Sequence, residues 1–267
     1  MYSNFTVDCV ILGFHEGELK ILLAERNEYP FKDWWALPGF FVDNDEEMED
    51  AVKRILYENT GLKDVFMDQL HSFAGLKRHP KGRILTVAYY ALIQLDHTKL
   101  KTKPVTNYMK QAKWFPVRNV PELAFDHKQI LDLCLERLQR RLAYKPIAFE
   151  LLPEKFTLTQ LQLVYESILN KTLDKRNFRK KMQNYGFLKE LDEVQTGVGF
   201  RIDLNARDVH AFGLPEVQEL LAEGVVADAG QVGAARALAG GGDDGQERGI
   251  EEHRQESSVL GRWLAED

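Results

Sequence analysis

Two stretches of this chain hold side chains whose types and spacing bear on chemistry. The first runs from Trp34 to Leu62 and carries Glu46, Arg54 and Glu58. The second runs from Lys171 to Lys189, where seven basic residues (Lys171, Lys175, Arg176, Arg179, Lys180, Lys181 and Lys189) stand against Asp174 alone. An anionic partner responds to a local stripe of this kind, not to the charge of the whole chain. Elsewhere the candidates are sparse. Cys9 and Cys134 lie far apart with no CxxC and no Cys/His cluster. That argues against a zinc site and a disulfide framework, and both cysteines read as small buried hydrophobes. His127 has no nucleophile beside it in the sequence and reads as a capping or packing residue.

The first stretch reads as a strand, a Pro-Gly loop and a helix. Met48, Ala51, Val52, Ile55 and Leu56 recur at three- and four-residue intervals, which places them on one apolar face. Asp43, Asn44 and Asp45 offer N-cap oxygens, Glu46, Glu47, Glu49 and Asp50 complement the helix dipole, and Gly61 supplies the stop. On such a helix a lone Glu58 is ordinarily a solvated charge.

This strand, loop and helix resemble the Nudix box, Gly-x5-Glu-x7-Arg-Glu-U-x-Glu-Glu-x-Gly-U with U aliphatic. Glu46, Arg54, Leu56, Glu58, Gly61 and Leu62 match the pattern, but Phe40, Ile55 and Asn59 stand where it has a glycine and two glutamates. In active members the three helical glutamates share one face and hold Mg²⁺ or Mn²⁺, hard cations that need several oxygen ligands. The resemblance therefore implies a Nudix fold with its hydrolase centre dismantled, and so no catalytic residue, no metal site and no cofactor.

Around the box, Thr6–Phe14 and Leu19–Ala24 read as a hairpin with its turn at 15–18. Further strands are expected at about 66–76, 84–94 and 113–117. The turn Lys77-Arg78-His79-Pro80-Lys81-Gly82-Arg83 is strongly basic and is either solvated or placed to meet phosphates. A helix follows through Leu131, Leu135, Leu138 and Leu142, with Arg137, Arg140 and Arg141 expected on its solvated side. Lys145-Pro146 breaks it and marks a candidate domain boundary.

The second stretch belongs to a different pattern. Thr157-Leu158-Thr159-Gln160 is a capping box. Leu158, Leu161, Val164, Tyr165, Ile168 and Leu169 line the inner face of the helix that follows. Asn170 to Leu173 form a short turn, and Asp174 caps a basic helix over 175–184 with Phe178 and Met182 as its apolar pair. Helix, short turn and basic helix make a helix-turn-helix, whose second helix enters a major groove. Phe187–Val194 and Gly199–Leu204 read as the hairpin wing.

Both halves, in this order, resemble the Nudix-related transcriptional regulators, bacterial repressors with a Nudix-like sensor and a winged helix-turn-helix. The resemblance is carried by Arg26 with Pro30-Phe31, Trp35 to Gly39, Gly82-Arg83 with Val87 to Leu92, Ala124 to His127, and Phe156 through Lys180. It implies an α+β protein: a Nudix α/β/α sandwich with a mixed sheet, followed by an α+β winged-helix DNA-binding domain. It also implies a homodimer that binds operator double-stranded DNA and senses either an ADP-ribose-like nucleotide or a sugar, governing NAD-metabolism or sugar-utilisation genes. On this reading Arg26, Trp35, Phe40, Glu58 and Arg83 border the effector, and Lys175, Arg176, Asn177, Arg179 and Lys180 bind DNA. Phe40 departs from the family's second glycine and favours a smaller effector such as a sugar. The alternatives are an active Nudix hydrolase of ADP-ribose or a related nucleoside diphosphate compound, and a sensor or scaffold that does not bind DNA.

Charge and composition complete the outline. The net charge of −6 is unevenly placed: residues 201–267 hold 6 basic and 14 acidic side chains, which leaves 29 and 27 in the first 200. No basic leader and no membrane-length apolar run occurs, so a cytoplasmic protein without membrane contact is expected. The expected organisation is 1–145 for the sensor, 146–204 for the winged helix, and 205–267 for an acidic, Ala/Gly-rich tail with no functional motif and an expectation of disorder.

Overall fold

Strand β1 (Phe5–His15) is buried from Val7 to Gly13, as a central strand covered on both faces must be. It turns through Glu16 and Gly17, whose φ values of 51° and 80° form the left-handed pair that matches the twist of a tight hairpin, and returns as β2 (Glu18–Arg26). The structure is a computed structural model and describes residues 4–63, 65–95, 108–142, 145–184, 188–191 and 199–202. The chain divides into Met1–Glu223 and Gly224–Asp267, and every described residue belongs to the first unit.

The sheet grows outward from this hairpin. β3 (Trp35–Ala36) pairs with β2, and β4 (Gly39–Phe41) with β1. After helix α1 (Met48–Thr60) come β5 (Phe66–Phe73), β6 (Leu85–Gln94) and β7 (Met109–Pro116). The order is β3-β2-β1-β6-β5, with β7 also on β2. β6 runs parallel to β1 and the other pairings are antiparallel, so the sheet is mixed, as expected.

Alternation along β1 sorts its side chains between two apolar layers. Val7, Cys9 and Ile11 meet Ala51, Val52, Ile55 and Leu56 of α1. Val10 and Leu12 meet Ile130, Leu131, Cys134 and Leu138 of α2 (His127–Leu142) on the opposite face. Both cysteines are buried, and burial pushes the Cys9 thiol up to about 12, which leaves it an inert hydrophobe.

Two local expectations are corrected. Helix α1 begins at Met48 with Glu47 as its N-cap and no side-chain cap, while Asp43 to Asp45 lie exposed. Glu46 instead turns to Arg54, and this pair secures the helix start. Arg137 and Arg141 are not on a solvated face. Arg137 donates to the Leu70 carbonyl at 3.2 Å, and Arg141 pairs with Asp68 and the Tyr90 hydroxyl, so both tie α2 to the sheet.

The apolar layer under α2 continues without a break into the second half. Ile147, Phe149 and Leu151, the inner face of helix α3 (Leu158–Leu169) with Leu161, Val164 and Ile168, and Phe178 and Met182 of helix α4 (Lys175–Asn184) belong to the same buried cluster as Leu19, Ile21 and Leu23. Gln139 donates to the Ile168 carbonyl at 3.0 Å, and Ser167 to the Gly17 carbonyl at 3.1 Å. The basic helix is thus mounted on the sheet through α2 and α3. The expected capping box is formed: Thr157 Oγ1 accepts from the Gln160 amide at 3.1 Å, and Gln160 Oε1 from the Thr157 amide at 2.8 Å.

β8 (Leu188–Leu191) and β9 (Gly199–Ile202) pair antiparallel with Leu188 opposite Ile202. Over these described residues both expected wing strands are present, and residues 187, 192–194 and 203–204 of that expectation lie outside the described residues. The wing tip over 192–198 and the tail over 205–267 lie outside the described residues. Among the described residues no helix is long and apolar enough to cross a membrane.

Candidate functional site

Arg54 of the box helix pairs with both matched glutamates. Arg54 grips Glu46 with two hydrogen bonds of 2.8 and 2.7 Å, and its Nη1 lies 3.8 Å from Glu58 Oε1. The Arg54 hydrogen bonds hold the Glu46 carboxyl below the usual carboxylate range. Ile55 is only 1 % exposed and packs in the α1 layer, so position 55 belongs to the core. Asn59, 2 % exposed, folds its amide nitrogen back onto the Ile55 carbonyl at 2.7 Å.

These residues do not fit the divalent cation that the Nudix fold implies. The donor set is one carboxylate, Glu58, beside a guanidinium, with an amide whose nitrogen is committed to its own helix. Among the described residues no group of three or more His, Cys, Asp or Glu side chains is placed to hold a metal. Glu58 Oε2, Asn59 Oδ1 and Trp114 Nε1 are nevertheless buried without hydrogen-bond partners among the described residues. Such atoms are costly to leave unpaired, and two of them belong to neighbouring residues near the end of α1. Glu58 is therefore not the solvated helix charge that its sequence position suggests.

The five effector candidates are held by different neighbours. Arg26 donates to the Pro30 carbonyl at 3.0 Å and lays its guanidinium over Phe125, 4.8 Å from the ring centre. Trp35 packs edge-on against Phe115 at 4.7 Å, beside the layer under α2. Phe40 packs beside the α1 layer and lies flat on Tyr108, with ring centres 4.3 Å apart. Glu58 shares that side. Arg83 is exposed and follows Gly82, whose φ of 135° is a glycine conformation.

Sequence reasoning missed a buried charge cluster next to Arg26. Arg78, from the basic turn, forms a two-pronged pair with Asp126 at 2.9 Å for each bond and reaches Asp8 at 3.3 Å. Its side chain is 6 % exposed, so of the turn's basic residues this one is committed inward and does not meet solvent. His79 stacks on Phe125 at 5.1 Å, and Phe31 meets the same ring edge-on at 4.7 Å. A signal was present: Asp8 is an acid within the apolar run Val7 to Leu12. Gly39 is tied to it, since a Cβ there would stand 2.2 Å from Asp8 Oδ1.

In the second half of the chain, α4 is capped by Asp174 Oδ1, which accepts from the Asn177 amide at 2.8 Å. The turn before it is locked by two residues that the sequence did not single out. Glu166 Oε1 accepts from the Leu173 amide at 2.8 Å and from Gln162 Nε2 at 2.9 Å, while Gln162 also reaches the Leu173 carbonyl at 3.0 Å. Lys175, Arg176, Asn177, Arg179 and Lys180 are all exposed, and Arg179 donates to Thr159 Oγ1 at 3.3 Å. Asp174, Lys175, Arg176, Arg179, Lys180 and Gln183 line one open depression of about 640 Å³.

A Nudix sandwich joined to a winged helix with an exposed basic second helix defines the class, a Nudix-related DNA-binding regulator. The Nudix domain family matches residues 3–134, and the NrtR DNA-binding winged helix domain family matches residues 148–201. The ADPR responsive transcriptional repressor NtrR of Acinetobacter baylyi is 36% identical over 192 residues, 70% of this chain and 75% of that protein. The crystal structure of Shewanella oneidensis NrtR complexed with a 27mer DNA aligns with a TM-score of 0.63 and 31% identity, covering 75% of this chain and 93% of that one. An ADP-ribose pyrophosphatase of Methanocaldococcus jannaschii is 35% identical over 119 residues, 45% of this chain and 68% of that protein. This chain belongs to the NrtR family of Nudix-related transcriptional regulators.

Proposed function

We propose that this protein is an ADP-ribose-responsive transcriptional repressor of NAD-metabolism genes whose Nudix half binds its effector without hydrolysing it. The observation that carries the reading is the pairing of the two sites in one chain. The box helix keeps one carboxylate of three, with Ile55 in the core and Asn59 bonded to its own helix, while α4 presents exposed Lys and Arg side chains from a capped helix. The relatives add direction, one being an ADPR responsive repressor and another an ADP-ribose pyrophosphatase. Phe40 lies flat on Tyr108, and the two relatives named for ADP-ribose favour a nucleotide over the smaller sugar that Phe40 by itself suggests.

On this proposal residues 1–145 sense the effector, 146–204 bind DNA, and 205–267 are a tail outside both activities. Arg26, Trp35, Phe40, Glu58 and Arg83 border the effector. The protein acts as a homodimer in the cytoplasm, with two copies of α4 set on a near-palindromic operator. Arg26 and Arg83 provide positive charge for a diphosphate. In the absence of two metal-binding glutamates, no bridging cation is held to stabilise charge developing on the phosphates.

The test combines a gel shift with an assay of turnover. The protein should retard DNA from the region upstream of NAD-metabolism genes, and ADP-ribose should change that affinity while remaining intact in the presence of Mg²⁺ or Mn²⁺. Steady release of AMP, abolished by Glu58→Gln, would establish the hydrolase alternative instead. An effect of sugars with none of ADP-ribose would reassign the effector.

A further inference from the structure

We infer that Arg176 and Gln183 are the base-reading residues of α4, and that Arg179, held by Thr159, grips the sugar-phosphate backbone; this rests on the DNA-binding reading above. The rotation of α4 is fixed by Phe178 and Met182, which are 6 % and 1 % exposed, with Phe178 edge-on to Tyr165 at 5.4 Å. Successive residues of an α-helix are turned by about 100°. From the core direction set by that pair, Lys180 points directly away, Arg176 and Gln183 lie within about 60° of it, and Arg179 falls on a flank about 80° from the core. The hydrogen bond from Arg179 Nη2 to Thr159 Oγ1 shows which flank: the one facing the first turn of α3.

The chemistry of the outward ridge follows from its side chains. Arg176, Lys180 and Gln183 are exposed and make no side-chain hydrogen bond or ion pair among the described residues, so all three are available to a ligand. An Arg fork fits O6 and N7 of guanine, and a glutamine amide, with donor and acceptor side by side, fits N6 and N7 of adenine. Lys180 between them is a point charge and adds affinity without such a choice. Seven helical residues separate the two forks by about 10.5 Å, or roughly three base-pair steps of ~3.4 Å. The ridge therefore fits a half-site in which a guanine and an adenine stand about three base pairs apart. Arg179 is drawn toward α3, and in a helix-turn-helix the first helix is the one that crosses the backbone. Its remaining donors face phosphate, where they carry position and not sequence.

The full chain should first enrich duplexes from a randomised pool, after which affinity is measured across single base-pair changes in the enriched sequence. Gln183→Ala should lose about tenfold on that sequence and nothing further when one particular A·T pair is replaced, and Gln183→Glu should move the preference there toward cytosine. Arg176→Ala should behave in the same way at a G·C pair about three positions away. Arg179→Ala should weaken every duplex by one common factor and lower the salt slope by about one, with a smaller uniform loss for Thr159→Ala. The assignment is overturned if Gln183→Ala and Gln183→Glu both keep the wild-type preference at every position, or if Arg179→Ala erases discrimination at a single base pair. A full chain that enriches no sequence and retains no duplex at low salt would remove the DNA-binding reading itself, a separate result.

Discussion

The backbone amide of Leu37 donates to Nδ1 of His127 at 2.9 Å, although the two residues lie 90 positions apart. Nδ1 is thereby an acceptor, so the proton of the neutral ring sits on Nε2, which faces Asp8 Oδ1 at 3.6 Å. Around it the Cys9 amide donates to the Pro38 carbonyl at 2.8 Å and the Ala124 amide to the Trp35 carbonyl at 2.8 Å. The loop that leads into the box helix is thus strapped to β1 and to the start of α2. Protonation of His127 would set a second donor against the Leu37 amide.

That geometry predicts a pH dependence of stability. Burial, opposed by Asp8 and Asp126, lowers the His127 value below its ordinary 6.5. A histidine whose folded value is depressed binds more protons when unfolded, so its contribution is present above about 6.5 and declines as the pH falls below it. Thermal melts should show Tm falling between neutral pH and about pH 5, and His127→Gln should flatten that slope while lowering Tm throughout. An unchanged slope in the variant would assign the dependence to other groups, His79 first, since burial lowers it as well.

Removing Arg78 should be expensive. Asp8 and Asp126 would be left without the guanidinium that joins them, and breaking a buried pair typically costs about 3–5 kcal/mol. Urea unfolding of Arg78→Ala should show a loss of that order. Asp126→Asn in the same background should return part of it, because one of the stranded charges is removed.

Ile55→Glu should damage the fold before it helps any chemistry. The side chain would enter the apolar layer formed with Val7, Cys9 and Val52, and an uncompensated buried carboxylate costs about 3–5 kcal/mol or shifts its own titration to stay neutral. We expect a lowered urea midpoint for the single variant. Ile55→Glu combined with Asn59→Glu should still release no AMP from ADP-ribose in the presence of Mg²⁺.

Arg83 and Arg26 should separate binding from stability. Arg83 is exposed, so Arg83→Ala should leave stability within about 0.5 kcal/mol while weakening the thermal shift given by ADP-ribose. Arg26 also holds the Pro30 carbonyl and covers Phe125, so Arg26→Ala should lower both. Equal ligand-induced shifts for the wild type and Arg83→Ala would remove Arg83 from the effector site.

Features governed by local rules were legible in the residues alone. The helical period of Ala51, Val52, Ile55 and Leu56 set the inward face of α1, the Thr157–Gln160 pair set the start of α3, and Phe178 with Met182 set the rotation of α4. Capping and amphipathic spacing act within a turn or two of chain, so a single stretch of sequence carries them whole. The missing glutamates at 55 and 59 were legible for the same reason, being identities at fixed positions. Which charges meet depends on the packing of distant segments. Arg78 is one basic residue among several in its turn, and only the fold brings it to Asp8 and Asp126, respectively 70 and 48 residues away. Likewise Arg137 and Arg141 read as solvated by their spacing, yet α2 lies so close to β5 and β6 that their long side chains reach Leu70, Asp68 and Tyr90. A charge on a helix has many possible partners in sequence, and the packing of that helix against the sheet selects one of them.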